Sequence, residues 1–161
     1  SEARLSAFFE AIPDSVWLKD TQGRYVLANP VKARLYGKPV DQILGHTELD
    51  LVPHKTALAY QESDERALRS GAPLVYEEEA YLDGQRRVLE VVKRAVHDHG
   101  GQAFGVLGVA RDITERKLDQ IALTGEYAVK LPKFQQGSNT LVAAQSEVLA
   151  LSNTQVMTGA A

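Results

Sequence analysis

The side chains able to do chemistry in this chain are few: four histidines, a run of three glutamates, and two charges set among apolar neighbours. His46, His54, His97 and His99 are the only imidazoles, and none stands at metal-site spacing from a second convincing ligand. His97 and His99 flank Asp98 in a turn, where solvation accounts for them. Glu77-Glu78-Glu79 offers carboxylates of the kind used in acid–base catalysis, but adjacent strand residues point to opposite faces and no nucleophile or base accompanies them. The run reads as a solvated strand edge. There is no cysteine, which removes disulfides, thiolate metal sites and thiol nucleophiles together.

Asp64 and Lys93 are of another kind. Asp64 is the misfit on the stripe Ala57, Tyr60, Asp64, Ala67, Leu68 of an amphipathic helix, and Lys93 lies within an apolar strand. Buried charges persist only with partners or hydrogen bonds, and two readings follow. In the first, Lys93 or Arg94 meets a ligand carboxylate while Tyr36 and Tyr60 shape the walls of a cavity. In the second, Asp64 and Asn29 close an internal network and Lys93 faces water. Trp17, the single tryptophan, is either a pocket wall or core packing.

The elements that must position these residues are marked by turn and cap signals. Leu5, Phe8, Phe9 and Ile12 fall at i, i+3, i+4 and i+7, one stripe of a short helix ended by Pro13. Val16-Trp17-Leu18 is extended, and Asp20-Thr21-Gln22-Gly23 turns it into a second strand, Tyr25–Ala28. Asn29 caps and Pro30 opens a helix running to Tyr36 and stopped by Gly37, and another short piece over 40–44 ends at Gly45. A longer helix over 55–69 is closed by Gly71 and Pro73. Strands over 74–82, 87–97 and 103–113 follow, separated by Asp83-Gly84 and Asp98-His99-Gly100-Gly101. Two strands, then helices, then a three-stranded meander describe an α+β domain with one antiparallel sheet. Residues 141–151 have the composition of a further helix.

The junction from Gly105 to Lys117 is the most informative stretch. A buried strand ends in Asp112-Ile113-Thr114 and a charged helix begins at once. Thr114 is placed to cap that helix with its hydroxyl, with Glu115 at the end where the helix dipole favours an anion. Asp112 is placed to reach the same region or a nearby cation.

Composition narrows the class. Of 161 residues 44% are apolar and 24% charged, as in an ordinary folded domain of this size. Eighteen basic residues against twenty-one acidic ones give a net charge of −3, which makes no electrostatic case for nucleic acid. No apolar run approaches the roughly 18 residues of a spanning helix, and no signal peptide is evident at the N-terminus. A first residue of serine reads as a segment excised from a longer protein.

In order, Ala11–Asp20, Gly23–Pro30, Leu35-Tyr36-Gly37, Ile43-Leu44-Gly45, Asp50–Pro53 and the Asp112–Thr114 triplet resemble the succession of motifs in PAS domains, over about 8–123. The resemblance implies a five-stranded antiparallel sheet with helices on one face. It divides the chain into an N-terminal amphipathic helix (1–13), a PAS domain (14–114), an outgoing signalling helix (115–123) and a tail of unassigned role (124–161). It implies a cytoplasmic, non-catalytic sensory module of a histidine kinase or cyclic-di-nucleotide enzyme, binding a small molecule between sheet and helices, or else a ligand-free dimerisation scaffold. Candidate ligand-facing residues are Trp17, Leu27, Tyr36, Tyr60, Asp64 and Lys93. Asp112 and Thr114 would relay the signal, and Leu5, Phe8, Phe9 and Ile12 would join a homodimer. Partners are then a second copy and the host's effector domain, with no nucleic acid and no membrane insertion. Flavin adduct chemistry in relatives needs a cysteine, and haem-binding relatives ligate iron from deep within the long helix, whose inner positions here carry Ala57, Tyr60 and Asp64. Neither cofactor is expected.

Overall fold

A computed structural model describes residues 1–124 and, beyond them, the strand segments 127–130, 141–142 and 148–151. Helix α1 (Glu2–Ala11) leads to β1 (Ser15–Asp20) and β2 (Tyr25–Ala28). Helix α2 (Pro30–Tyr36), 3-10 turns at Val40–Gln42 and Glu48–Asp50, and α3 (His54–Ser70) come next. The meander β3 (Leu74–Leu82), β4 (Gln85–His97) and β5 (Ala103–Asp112) ends in α4 (Thr114–Thr124). Short strands β6 (Tyr127–Lys130), β7 (Leu141–Val142) and β8 (Val148–Leu151) lie beyond.

The sheet order is β2-β1-β5-β4-β3, antiparallel throughout, with the two-residue β7 added outside β3. This is the expected α+β layout. The expected helix over 141–151 is corrected: its two ends are strands, and Leu141–Val142 pairs with Glu79 and Ala80. The open edge of β3 offers unpaired backbone groups that another strand satisfies and a helix does not.

Local chemistry explains the joints. Asn29 Oδ1 accepts from Lys32 N, capping α2, and from Val16 N at 3.0 Å, while its Nδ2 donates to Asp14 O. One side chain thus starts α2 and fixes it to β1. Asp83 and Gly84 both have positive φ (52° and 79°), the two-residue turn whose twist matches a hairpin. Across the sheet Trp17, Gly108 and Lys93 form one row. The indole lies against Gly108 so closely that any Cβ there would collide with the ring.

The core sits between the sheet and α2, α3 and the 3-10 turns. It includes Trp17, Tyr25, Leu35, Tyr36, Ile43, Ala57, Tyr60, Leu89, Val91 and Ala110. Helix α1 contributes no buried residue. Among the described residues no helix is long and apolar enough to cross a membrane.

Candidate functional site: an ionic and aromatic interior

The sheet face that α2 and α3 cover carries charge. Period-two alternation along β1 puts Ser15, Trp17 and Lys19 on that face. Lys19 Nζ lies 2.7 Å from Glu48 Oε2 and 2.7 Å from Asp64 Oδ2. Lys93 Nζ donates to Ser63 Oγ at 2.7 Å and pairs with Asp64 Oδ1 at 2.9 Å. Asp64 on α3 therefore bridges two ammonium groups on non-adjacent strands. Glu48 also accepts from the hydroxyls of Tyr25 (2.9 Å) and Tyr36 (2.8 Å).

These contacts decide which charges survive burial. Burial alone would lower the Lys19 pKa, but Glu48 and Asp64 outweigh it and leave it raised. Burial would raise Glu48 and Asp64; Lys19 with Lys32 lowers Glu48, and Lys19 with Lys93 lowers Asp64. Tyr25, Tyr36, Tyr60 and Tyr76 are pushed well above the ordinary phenol range, first by burial. They remain neutral donors.

Lys32 on α2 and Glu78 on β3 are compensated only in part: Glu48 and Glu78 act to raise Lys32, and Lys93 and Lys32 to lower Glu78, but burial outweighs them. The Lys32 ammonium lies 3.9 Å from the ring centroids of both Trp17 and Tyr36, with no carboxylate within ion-pair distance among the described residues. Burial lowers its pKa to about 7. Glu78 accepts one hydrogen bond, from Tyr60 Oη at 3.2 Å, and burial raises it to about 7. Lys32 and Glu78 line a cavity with Trp17, Tyr36, Glu48, Tyr60, Tyr76 and Lys93, whose free space of about 10 Å³ is room for about one water. The indole N–H of Trp17 has no hydrogen-bond partner. Among the described residues no three metal-binding side chains come together.

The family model described as the PAS fold matches residues 9–118. The chain belongs to the PAS fold family. It is 36% identical over 118 residues to the methanogenesis regulatory histidine kinase FilI of Methanothrix harundinacea, covering 73% of this chain and 13% of that protein. To the aerobic respiration control sensor protein ArcB of Escherichia coli it is 32% identical over 120 residues, covering 74% and 15%. The chain thus spans a small fraction of these kinases, and is a sensory domain of the type that signalling proteins such as histidine kinases carry. The solved PAS domain of Bordetella pertussis BvgS superimposes with a TM-score of 0.61 at 23% identity, covering 77% of this chain and 94% of that one. That likeness speaks for the fold.

Set in the PAS frame, Trp17, Tyr36, Tyr60 and Lys93 line the cavity, and Asp64 lies beside it within the ion network. Leu27 does not join them: β2 buries Tyr25 and Ala28 and leaves Leu27 half exposed. Lys93 faces inward rather than water, and the network around Asp64 is built with lysines, not with Asn29. Glu78 and Glu79 correct the solvated-edge reading. Both are buried, Glu78 against the cavity and Glu79 on the opposite face with Arg86. Lys19, Lys32, Glu48 and Ser63 went unread in the sequence. The signal for Lys32 was present, since it shares with Leu35 and Tyr36 the i, i+3, i+4 stripe that α2 buries.

At the C-terminal joint Asp112 reaches the start of α4, as expected, and also stands 3.7 Å from Arg87, whereas the Thr114 hydroxyl does not cap the helix. Asp112 Oδ1 accepts from Thr114 N at 3.0 Å and from the Thr114 hydroxyl, so the carboxylate serves the first N–H of α4. The Thr114 hydroxyl accepts instead from Val88 N at 2.9 Å. That bond satisfies a strand donor near the start of β4 and ties α4 to the sheet. Arg116 and Lys117 pair with Glu90 and Glu77 at 3.6 and 3.1 Å. Leu5 and Phe8 on α1 are each 71% exposed, and Phe9 and Ile12 are partly covered.

Proposed function

We propose that this chain is a non-catalytic sensory and dimerisation module that binds a small molecule between sheet and helices and relays occupancy through α4 to an effector domain of its host. The observation that carries the reading is a cavity between sheet and helices into which the Trp17 indole N–H brings a donor without a partner, beside a Lys32 ammonium packed on rings. A structural core tends to pair every buried donor, whereas a binding site leaves them for its occupant. The relay is supported by the Asp112–Thr114–Val88 joint, because β4 carries both Val88 and the cavity residue Lys93. The host is proposed to be a histidine kinase of a two-component system, on the strength of the kinase relatives. A ligand moves such a relay only by its differential affinity for the two states.

A ligand-free dimerisation scaffold is the second reading, favoured by the small free volume of the cavity. Thermal-shift screening of metabolites with native mass spectrometry separates the two. An occupant at a hundred times its Kd stabilises by about 2.7 kcal/mol; no shift with any metabolite, and a bare mass, favour the scaffold. The module is also proposed to work without haem or flavin, since there is no cysteine and the buried residues of α3 include no histidine. The purified protein is then colourless, and a Soret band or flavin spectrum overturns this.

A further inference from the structure

We propose that α2 is the gate of the interior cavity: it lifts from the sheet as a unit between Asn29 and Gly37, and Lys32 and Glu78 make that opening most frequent near neutral pH. The inference takes the cavity to be the binding site of the reading above. Its free space of about 10 Å³ holds about one water, so a larger occupant enters only where the wall opens. The two helices over the cavity are held differently. Asp64 of α3 bridges Lys19 and Lys93, Ser63 accepts from Lys93, and Tyr60 donates to Glu78, so lifting α3 breaks ion pairs to two strands. Helix α2 is seven residues long and buries Lys32, Leu35 and Tyr36. Its side-chain ties include the Tyr36 hydroxyl on Glu48 at 2.8 Å and an Arg34–Asp83 pair at 2.6 Å. Both members of that pair are at least half exposed, which leaves it little strength. Asn29 fixes the start of α2 to β1, and Gly37, at φ 65°, ends it. Local opening follows the contacts that must be broken, and α2 has fewer of them.

Lys32 works against closure. Its ammonium lies 3.9 Å from the ring centroids of Trp17 and Tyr36, and burial outweighs the attraction of Glu48 and Glu78. Glu78 lines the same cavity from β3, and there burial outweighs the attraction of Lys93 and Lys32. Opening returns both groups to water. The other charges facing them, Lys19 on β1, Glu48 of the second 3-10 turn, Asp64 on α3 and Lys93 on β4, hold one another in ion pairs. The phenols of Tyr25, Tyr36, Tyr60 and Tyr76 stay protonated. Lys32 and Glu78 therefore set the proton count. Above about pH 7 the closed state holds Lys32 uncharged, and opening takes up a proton, so opening becomes rarer as pH rises. Below about pH 7 the closed state holds Glu78 protonated, and opening releases that proton, so opening becomes rarer as pH falls.

Native-state hydrogen exchange of the ligand-free 161-residue chain, followed by NMR across pH and corrected for intrinsic exchange, tests the gate. The α2 amides from Ala33 to Gly37 are expected to exchange through an opening at least tenfold more frequent than the one that exposes residues 60–64 of α3. The α2 opening constant is expected to peak near pH 7 and to fall by up to tenfold per pH unit on either side. Lys32→Met is expected to remove the alkaline limb and Glu78→Gln the acid one. Where a variant does not fold, the wild-type profile decides. The proposal is overturned by an α2 that opens no more often than α3, by an opening constant that ignores pH, or by limbs that persist in both folded variants. Metabolite screening judges the sensor reading separately. A frequent, pH-dependent α2 opening with no stabilising metabolite keeps the gate and removes the ligand; a stabilising metabolite with α2 shut does the reverse.

Discussion

The covered face of the sheet and helix α1 invert the usual distribution of side chains. Inside are Lys19, Lys32, Lys93, Glu48, Asp64 and Glu78, all buried, while α1 holds Leu5 and Phe8 out in solvent. The interior charges are tolerated because geometry matches most of them, each carboxylate meeting an ammonium or phenol within 3.2 Å. The exposed stripe has no such internal match. One region pairs most of its charges internally, and the other leaves an apolar stripe in solvent.

The comparison is broken most severely by removing a charge at the centre of the network. Lys19→Met leaves Glu48 without its nearest cation and Asp64 with one of two, and uncompensated burial of this kind costs about 3–5 kcal/mol. Against the roughly 5–15 kcal/mol that stabilises a domain, denaturant titration should show a large drop or a molten chain. A loss below about 1 kcal/mol would mean that water reaches the carboxylates.

Next in size is the pH dependence of stability, where Lys32 and Glu78 act in opposite senses. Glu78 is raised to about 7 in the folded state, so the fold binds the extra proton between about pH 4.5 and 7, and stability falls as pH rises through that window. Lys32 is lowered to about 7, so the unfolded chain binds the extra proton between about 7 and 10.4, and stability rises there. Each limb should slope by on the order of 1 kcal/mol per pH unit. Glu78→Gln is expected to flatten the acid limb and Lys32→Met the alkaline one, read from denaturation midpoints across pH. Limbs that persist in both variants would assign the titration elsewhere.

For α1 the corresponding test is association. Phe8→Glu with Phe9→Glu is expected to convert a dimer to a monomer by light scattering while the melting temperature of the monomer falls little, since no residue of α1 is fully buried in its own domain and Phe9 is only partly covered. An unchanged mass removes α1 from the interface. The smallest effect is expected at the joint: Asp112→Ala should cost about 1 kcal/mol as a lost cap and change output of a full-length host more than the melting temperature. Thr114→Ala should weaken amide protection at Val88, measured by hydrogen exchange.

The strands and α3 were legible because Asp83-Gly84, Asp98–Gly101, Gly37 and Gly71 punctuate them unambiguously. Asp64 was legible as a charge on an apolar stripe. Its partners were not, because Lys19 meets Glu48 across 29 positions and Asp64 across 45, and the irregular path over 37–53 that brings Glu48 inward has no periodicity. The joint was half legible: a hydroxyl and a carboxylate two residues apart were evident, but which of them serves α4 depends on the unpaired Val88 N–H of another strand.

Gly108 beneath Trp17 carries one more implication. The indole occupies the room in which a side chain at 108 would stand, so the volumes at these two positions are a single quantity divided between neighbouring strands. A bulkier residue at 108 becomes admissible only where position 17 has shrunk, and the row that continues to Lys93 would then be resurfaced. That coupled exchange would trade the floor of the cavity for its wall without altering strand register.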